Sequence, residues 1–362
     1  MHSFAIKTAR AGDLILTAAG SGTIAEQIAA ILAGVGQEGA EVLDLALLRV
    51  FYRHDAFSAA ELMQSLAQAL PAGTGCALTL VPVARAGAGD GLLAIEAVAV
   101  RGTQGQVRRD VGNRPFLTGV RRGQFLFLGA VTGVQADGIV AESTSVMQQL
   151  GATLQALGAG FADVVRMNRW YHAAGTKAEW EPSARAVAAF YAEPGPIATA
   201  ISLPVPLPAA RSIQIELMGM IGEDGRSLPK RHSWPEGLWN WPIHLPYKHG
   251  LACGGLGFVG GQVSLDAQAQ VIDPDHLDRQ VARSLANIDR VVAGFGAAGS
   301  NTLHLGAYFE LPQGGLHSGQ PGAKALLALA EGAVPVALVG FDNLSYPQMR
   351  IEIEAIVALQ EA

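Results

Sequence analysis

Ile351-Glu352-Ile353-Glu354-Ala355-Ile356, near the end of the chain, has two earlier counterparts: Leu93-Ala94-Ile95-Glu96-Ala97-Val98 and Ile213-Gln214-Ile215-Glu216-Leu217-Met218. Each alternates apolar residues around one shared glutamate, the pattern of a β-strand that carries a carboxylate on one face. Glu96, Glu216 and Glu354 stand 120 and 138 residues apart. A matching trio lies upstream of each. Gly12 in Ala9–Leu16, Gly123 in Val120–Leu128 and Gly254 in Leu251–Val259 each mark a turn that opens an apolar strand. Self-similarity of this kind is the signature of repeated supersecondary units, and drift in the spacing fits loop insertions.

The interior of each unit repeats as well. Leu277, Val281, Leu285, Ile288, Val292 and Phe295 step by three and four residues, the period of a helix with one buried stripe. Val146, Leu150, Leu154 and Leu157 do the same in the middle unit, and a helix is expected near Ala25–Leu32 in the first. Strands follow at Leu47–Tyr52, Val164–Tyr171 and Leu303–Phe309. Ser58 with Glu61, and Thr176 with Glu179, predict capping boxes that open a second helix. The expected fold is therefore α+β: three tandem β-β-α-β-α-β-β units over residues 1–100, 114–220 and 242–362, with linkers at 101–113 and 221–241. The first is expected to be truncated, its hairpin nearly absent, because Gly20-Ser21-Gly22 runs almost directly into the helix. A sheet with both helices on one face leaves the other face apolar, and that face must be covered. Closing three units around a pseudo-threefold axis covers it, which predicts a single-chain pseudo-trimer.

The totals agree with such a body. Of 362 residues, 50% are hydrophobic and 15% charged, enough to fill a large core. The net charge of -6, with no basic run, argues against a nucleic-acid partner. The two cysteines form neither a disulfide framework nor a zinc spacing. The start lacks a leader pattern and no apolar run reaches the ~20 residues of a membrane span, so no membrane partner and a cytoplasmic location are expected. The nine histidines show no ligand pair, so neither a metal nor another cofactor is expected. Gly255–Gly260 fits G-x-G-x-x-G literally, but the run sits inside a strand, where a dinucleotide loop cannot form. Gly87–Gly91 is expected to be a hairpin turn, and Trp234, Trp239 and Trp241 to pack a linker across a seam.

The ordered set of motifs resembles the Rid (YjgF-type, reactive intermediate deaminase) family: Pro246-Tyr247, Phe258-Val259-Gly260-Gly261-Gln262, Asn287 and Ile353-Glu354-Ala355-Ile356 in the third unit, and Val164–Tyr171 in the second. The resemblance spans nearly the whole chain, three times over. It implies a chorismate-mutase-like fold, ligand clefts between units, and hydrolysis of reactive imines or enamines with release of ammonia. It also implies an arginine that clamps a substrate carboxylate. That position is expected at Ala77, Ala198 and Ala337, so no unit keeps it. The family tyrosine survives as Tyr247, with Phe116 in the second unit. On this basis Glu354 is expected to act as general base on water and Tyr247 to donate a hydrogen bond. Arg166 is expected to orient an anionic group, with Asn168, Trp170, His249 and Glu216 as further substrate-binding candidates. A cleft between the second and third units would take a small unsaturated, imine or enamine metabolite. Two alternatives stand beside this one: a catalytically degenerate small-molecule-binding homologue, and a chorismatase-like hydrolase, since chorismatases resemble Rid-derived pseudo-trimers. A monomer, or at most a weak dimer, is expected, because the units supply to one another what separate chains gain by association.

Overall fold

The computed structural model describes residues 6–20, 22–87, 91–102, 109–113, 115–134, 138–172, 177–297, 299–311 and 319–360. Three successive sets of elements share one order. The first has strands β1 (Lys7–Ala11) and β2 (Leu14–Ala19), helix α1 (Ile24–Gln37), β3 (Leu45–Arg53), α2 (Ala59–Ala69), β4 (Cys76–Val83), a short β5 (Arg85–Ala86) and β6 (Leu93–Val100). The second, after a short β7 (Arg109–Gly112), has β8 (Phe116–Arg122), β9 (Phe125–Thr132), α3 (Ile139–Ala156), β10 (Val164–Tyr171), α4 (Lys177–Ala188), β11 (Ile197–Ser202) and β12 (Ile213–Met220). The third, after β13 (Lys230–Ser233), has β14 (Gly250–Cys253), β15 (Leu256–Val263), α5 (Leu277–Ala293), β16 (Gly299–Glu310), α6 (Pro321–Glu331), β17 (Val336–Phe341) and β18 (Ile351–Gln360).

Strand order repeats too: β1-β2-β6-β3-β4, β8-β9-β12-β10-β11 and β14-β15-β18-β16-β17. In each set only the last pair is parallel, and a helix makes the crossover that parallel pairing requires. One expectation is corrected here. The first unit keeps its hairpin, with β1 and β2 paired from Lys7↔Ala18 to Ala11↔Leu14. Lys7-Thr8-Ala9-Arg10-Ala11 holds no large apolar residue, so hydrophobic pattern alone does not reveal it as a strand. The Ser58–Glu61 box caps α2, and an unforeseen one, Thr23–Glu26, caps α1. The box expected at Thr176–Glu179 and the centre of the Gly87–Gly91 turn lie outside the described residues. Gly255 sits in a turn and Leu256–Val263 is strand, so the glycine run opens no helix.

The units close on one another. β4 lies beside β8, joining the first two units into an 11-stranded sheet, while β5 pairs with β17 of the 7-stranded sheet. β11 packs against β15. The inner faces meet in one buried cluster with equivalent contributions from each unit: Leu14, Phe125 and Leu256; Leu16, Phe127 and Phe258; Ala46, Val165 and Leu303. Burying each Leu or Phe is worth about 1.5–3 kcal/mol, which no unit could gain alone. The last trio sits at a β-bulge present in all three units, between Leu45 and Leu47, Val164 and Arg166, and Thr302 and His304. A bulge turns two successive side chains to one side. Leu47, Arg166 and His304 are therefore aimed inward beside Ala46, Val165 and Leu303.

Backbone meets backbone where the units abut. A Cβ on Gly129 would lie 2.4 Å from the Leu78 carbonyl oxygen, and one on Gly260 would lie 2.8 Å from that of Ala198. Gly129→Ala is therefore expected to cost about 1–3 kcal/mol through overpacking. Gly36→Ala, whose Cβ would meet nothing within 4 Å, should be neutral or up to about 1 kcal/mol stabilising. Denaturant unfolding of the two variants checks the contrast.

Candidate active site at the seam between the second and third units

Glu96, Glu216 and Glu354 occupy equivalent places on β6, β12 and β18, and all three are buried beside the axis. Each meets a basic side chain from another unit. Arg166 of the second unit donates from Nε (3.3 Å) and Nη2 to Glu354 of the third. His304 of the third unit, at the equivalent bulge position, bonds Glu96 of the first. The first unit has Leu47 there, and Arg49 takes over, bonding Glu216 through Nε (3.2 Å) and Nη2 and Glu96 through Nη1 (2.8 Å). Glu354 accepts further hydrogen bonds from Asn168 (3.0 and 3.1 Å), Thr199 (2.6 Å) and Tyr308 (2.6 Å). Burial alone would raise its pKa. The Arg166 and Arg49 charges and these bonds outweigh burial and hold it at about 2. The axial cavity among Arg49, Glu96, Arg166, Glu216 and His304 measures about 20 Å³, room for one water.

These facts reassign several expected roles. Glu354 is engaged by four donor residues and is strongly acidic, the reverse of the raised pKa that a general base needs. The Arg166 guanidinium is spent on Glu354 and does not face a cleft. Asn168 belongs to the same carboxylate. Glu216 is bound by Arg49, whose guanidinium also lies 5.7 Å from the ring centre of buried Trp170. The structure gathers these residues, but as the cement between units. His249 lies apart. Its Nε2–H donates to the Trp239 carbonyl at 2.8 Å, Gln262 contacts its Nδ1 at 3.3 Å, and burial lowers its pKa to about 4, so it is neutral near pH 7. Trp239 is buried against Trp241, while Trp234 is partly exposed beside Lys248.

The expected placement of the missing arginine also shifts. Strand register sets Thr79 opposite Arg49, Thr199 opposite Asn168 and Ala337 opposite Gly306, and those three partners each face the axial glutamate of their own unit. The equivalents of Ala337 are thus Thr79 and Thr199, not Ala77 and Ala198. Stretches of small residues offer no sequence landmark for that offset. None of the three is an arginine.

A second polar group lies at the seam between the second and third units, and most of it was not foreseen. Tyr247 lies there, buried, 6.0 Å from the Tyr191 ring, and its hydroxyl has no hydrogen-bond partner among the described residues. With it are Arg169, on the opposite face of β10 from Asn168, and Glu352, two residues before Glu354 on β18. Glu352 fits only because residue 261 is glycine: a Cβ there would sit 1.8 Å from its Oε1. Burial, then the charge of Glu354, raise its pKa to about 8, against the pull of a backbone hydrogen bond from Ala200 and of Arg169. Tyr171 donates to half-buried Ser345 at 2.9 Å, and Ser345 to the Ala200 carbonyl at 3.0 Å. Arg169 is 3% exposed and makes no hydrogen bond or ion pair among the described residues, only a 4.9 Å approach to the Tyr171 ring. Such a cation–π contact returns at most about 2 kcal/mol, whereas removing a guanidinium from water costs several.

The equivalent seams lack this chemistry. Arg169 is replaced by Val50 and Ala307, and Glu352 by Ala94 and Gln214. Gln214 closes the first seam by donating to the Leu80 carbonyl at 2.8 Å. At the third, Ala18, Ala94 and Ala337 line a cavity of about 40 Å³. Among the described residues no group of three or more His, Cys, Asp or Glu is gathered as metal ligands would be, and no helix is long and apolar enough to cross a membrane.

Because the folded pKa of Glu352 lies above the ordinary 4.5, the native state holds the extra proton between these values, so stability is lost as pH rises through about 8. Glu352→Gln removes that loss. Its melting temperature relative to the parent chain should climb from pH 5 to about pH 8 and level off above that, as followed by circular dichroism.

No protein-family model matches the chain, and no curated protein matches it. Solved structures do. Chorismatase aligns over 97% of this chain and 99% of its own, with TM-score 0.62 and 13% identity. A YjgF-family protein from Neisseria meningitidis aligns over 32% of this chain and 95% of its own, at TM-score 0.29 and 14% identity. A member of the YjgF/YER057c/UK114 family from Mycobacterium tuberculosis aligns over 32% and 100%, at TM-score 0.29 and 19% identity. Three units of one α+β order, closed around a common axis in one polypeptide, are the fold of this chain, and that fold is similar to chorismatase over nearly its whole length.

Proposed function

We propose that the chain is a hydrolase or deaminase of the Rid fold that protonates a small unsaturated, imine or enamine metabolite at the seam between its second and third units. The observation that carries this reading is the contrast between two carboxyls on β18: Glu354 ionised at about 2 and Glu352 still protonated near neutrality, with a pKa of about 8. Environments that push neighbouring carboxyls apart separate acid from base roles. Glu352 is the acid. It gives its proton to the electron-rich carbon or nitrogen of the substrate. Water then adds to the resulting cation and yields a proton to the Glu352 carboxylate, and the adduct collapses with release of an amine or an alcohol. Tyr247, whose hydroxyl has no other partner among the described residues, donates a hydrogen bond to the substrate. Glu354 keeps its charge and raises the Glu352 pKa.

A second reading, hydrolysis of an enol ether by a chorismatase-like enzyme, is favoured by the full-length match in fold. It uses the same acid. The sites differ from a simple amine-releasing enzyme only in the leaving group, so substrate assays separate the two.

Steady-state rates on small imines, enamines and enol ethers test the role. Glu352→Gln is expected to lower kcat by about 10²–10⁴-fold, and in the parent chain kcat/KM should fall above about pH 8 as the acid form disappears. Equal rates for the two chains would remove Glu352 from the chemistry. Ligand binding without turnover in either would favour a catalytically degenerate binding protein.

A further inference from the structure

We infer that the axial cavity is a binding site for one structural water, which bridges His304 of the third unit to Arg166 of the second and ties both to a neighbouring glutamate. The inference is independent of the chemistry proposed at the seam between the second and third units. It stands on the three equivalent bulge positions. Leu47, Arg166 and His304, one from each unit, all line a cavity of about 20 Å³ on the axis, together with Arg49, Glu96 and Glu216.

Each polar member of that trio has a nitrogen left over. His304 is buried and commits Nε2 to Glu96, while its Nδ1, also buried, has no hydrogen-bond partner among the described residues. Arg166 is buried and commits Nε and Nη2 to Glu354, and its Nη1 makes no hydrogen bond among the described residues. Buried polar groups in folded proteins are almost always satisfied, by protein or by ordered water. Leu47, the third member, has no polar atom to offer either of them.

Size and polarity select the ligand. A water needs roughly 10–15 Å³ of such space and two to four polar partners, and cavities that stay dry are apolar. This one admits a single water and is lined by five polar side chains. An ion suits it less well. A cation would face the Arg49 and Arg166 guanidiniums and an anion the Glu96 and Glu216 carboxylates, whereas water both donates and accepts. It accepts from Arg166 Nη1. At His304 it donates to a bare Nδ1 or accepts from Nδ1–H, so it serves the ring in either form. A hydrogen then remains for a carboxylate. Glu216 accepts only from Arg49 among the described residues, which leaves lone pairs unused. The water thus links the second and third units where Arg166 and His304 do not bond each other directly.

A high-resolution crystal structure of the full chain tests the site. It should show one water within about 3 Å of both His304 Nδ1 and Arg166 Nη1. A cavity without density, or Nδ1 bonded to a protein atom, would overturn the inference. A second measurement works in solution. Val98 lines the same cavity from β6, and Val98→Ile adds one methyl group there, enough to displace a single water. Oxygen-17 relaxation dispersion, which counts long-lived internal waters, should find one fewer in Val98→Ile than in the parent chain. An unchanged count in the folded variant would mean that no water is held on the axis.

Discussion

Three glutamates meet at the centre of this molecule, and none is neutralised by its own unit alone. Glu354 depends on Arg166 from the second unit, Glu96 on His304 from the third, and Glu216 on Arg49 from the first. A buried ion pair adds little net stability, because dehydration offsets most of the attraction, but an ion left without its partner is costly. The ring therefore acts chiefly on placement. Any slip of one unit against another strands a charge in a dry centre, so the units lock at one mutual register. The apolar layer of Leu16, Phe127 and Phe258 supplies the stabilisation, and the ring supplies the alignment.

Carrying three units on one chain frees the three seams to differ. The first is closed by Gln214, the third holds a small cavity lined by alanines together with Lys7 and Glu96, and the second carries Arg169, Glu352 and Tyr247. A homotrimer could not do this, since one substitution would appear at every seam. The same asymmetry shows in the cement. Leu47 leaves a gap in the cycle of basic side chains, and Arg49 spans it by reaching two glutamates at once.

Much of the architecture was legible in the sequence because it rests on patterns that survive divergence. The turn glycines, the strands closing on a glutamate and the 3–4 helical stripes each require particular residue types, and each recurs three times. The site was less legible. The sequence reading settled on Glu354 and Arg166, which the repeat uses to join units. Arg169 and Glu352 stood one and two residues from residues already under scrutiny. Their signal was present as a difference between repeats: charged residues in one unit where the sisters have Val50 and Ala307, or Ala94 and Gln214. Reading the repeats for what they do not share would have found both. The offset between Ala77 and Thr79 had no such marker, since small residues on either side align equally well until hydrogen bonds fix the register.

Interdependence of the units is best tested by native-state hydrogen exchange on Arg49→Met, which strands Glu216 of the second unit and takes from Glu96 of the first one of its two partners. Amides of β6 and β12, in different units, should lose protection together and to a similar extent, because one charge supports both strands. Loss confined to β6, with β12 exchanging as in the parent chain, would mean that the units stand separately and that the axial ring does not join them.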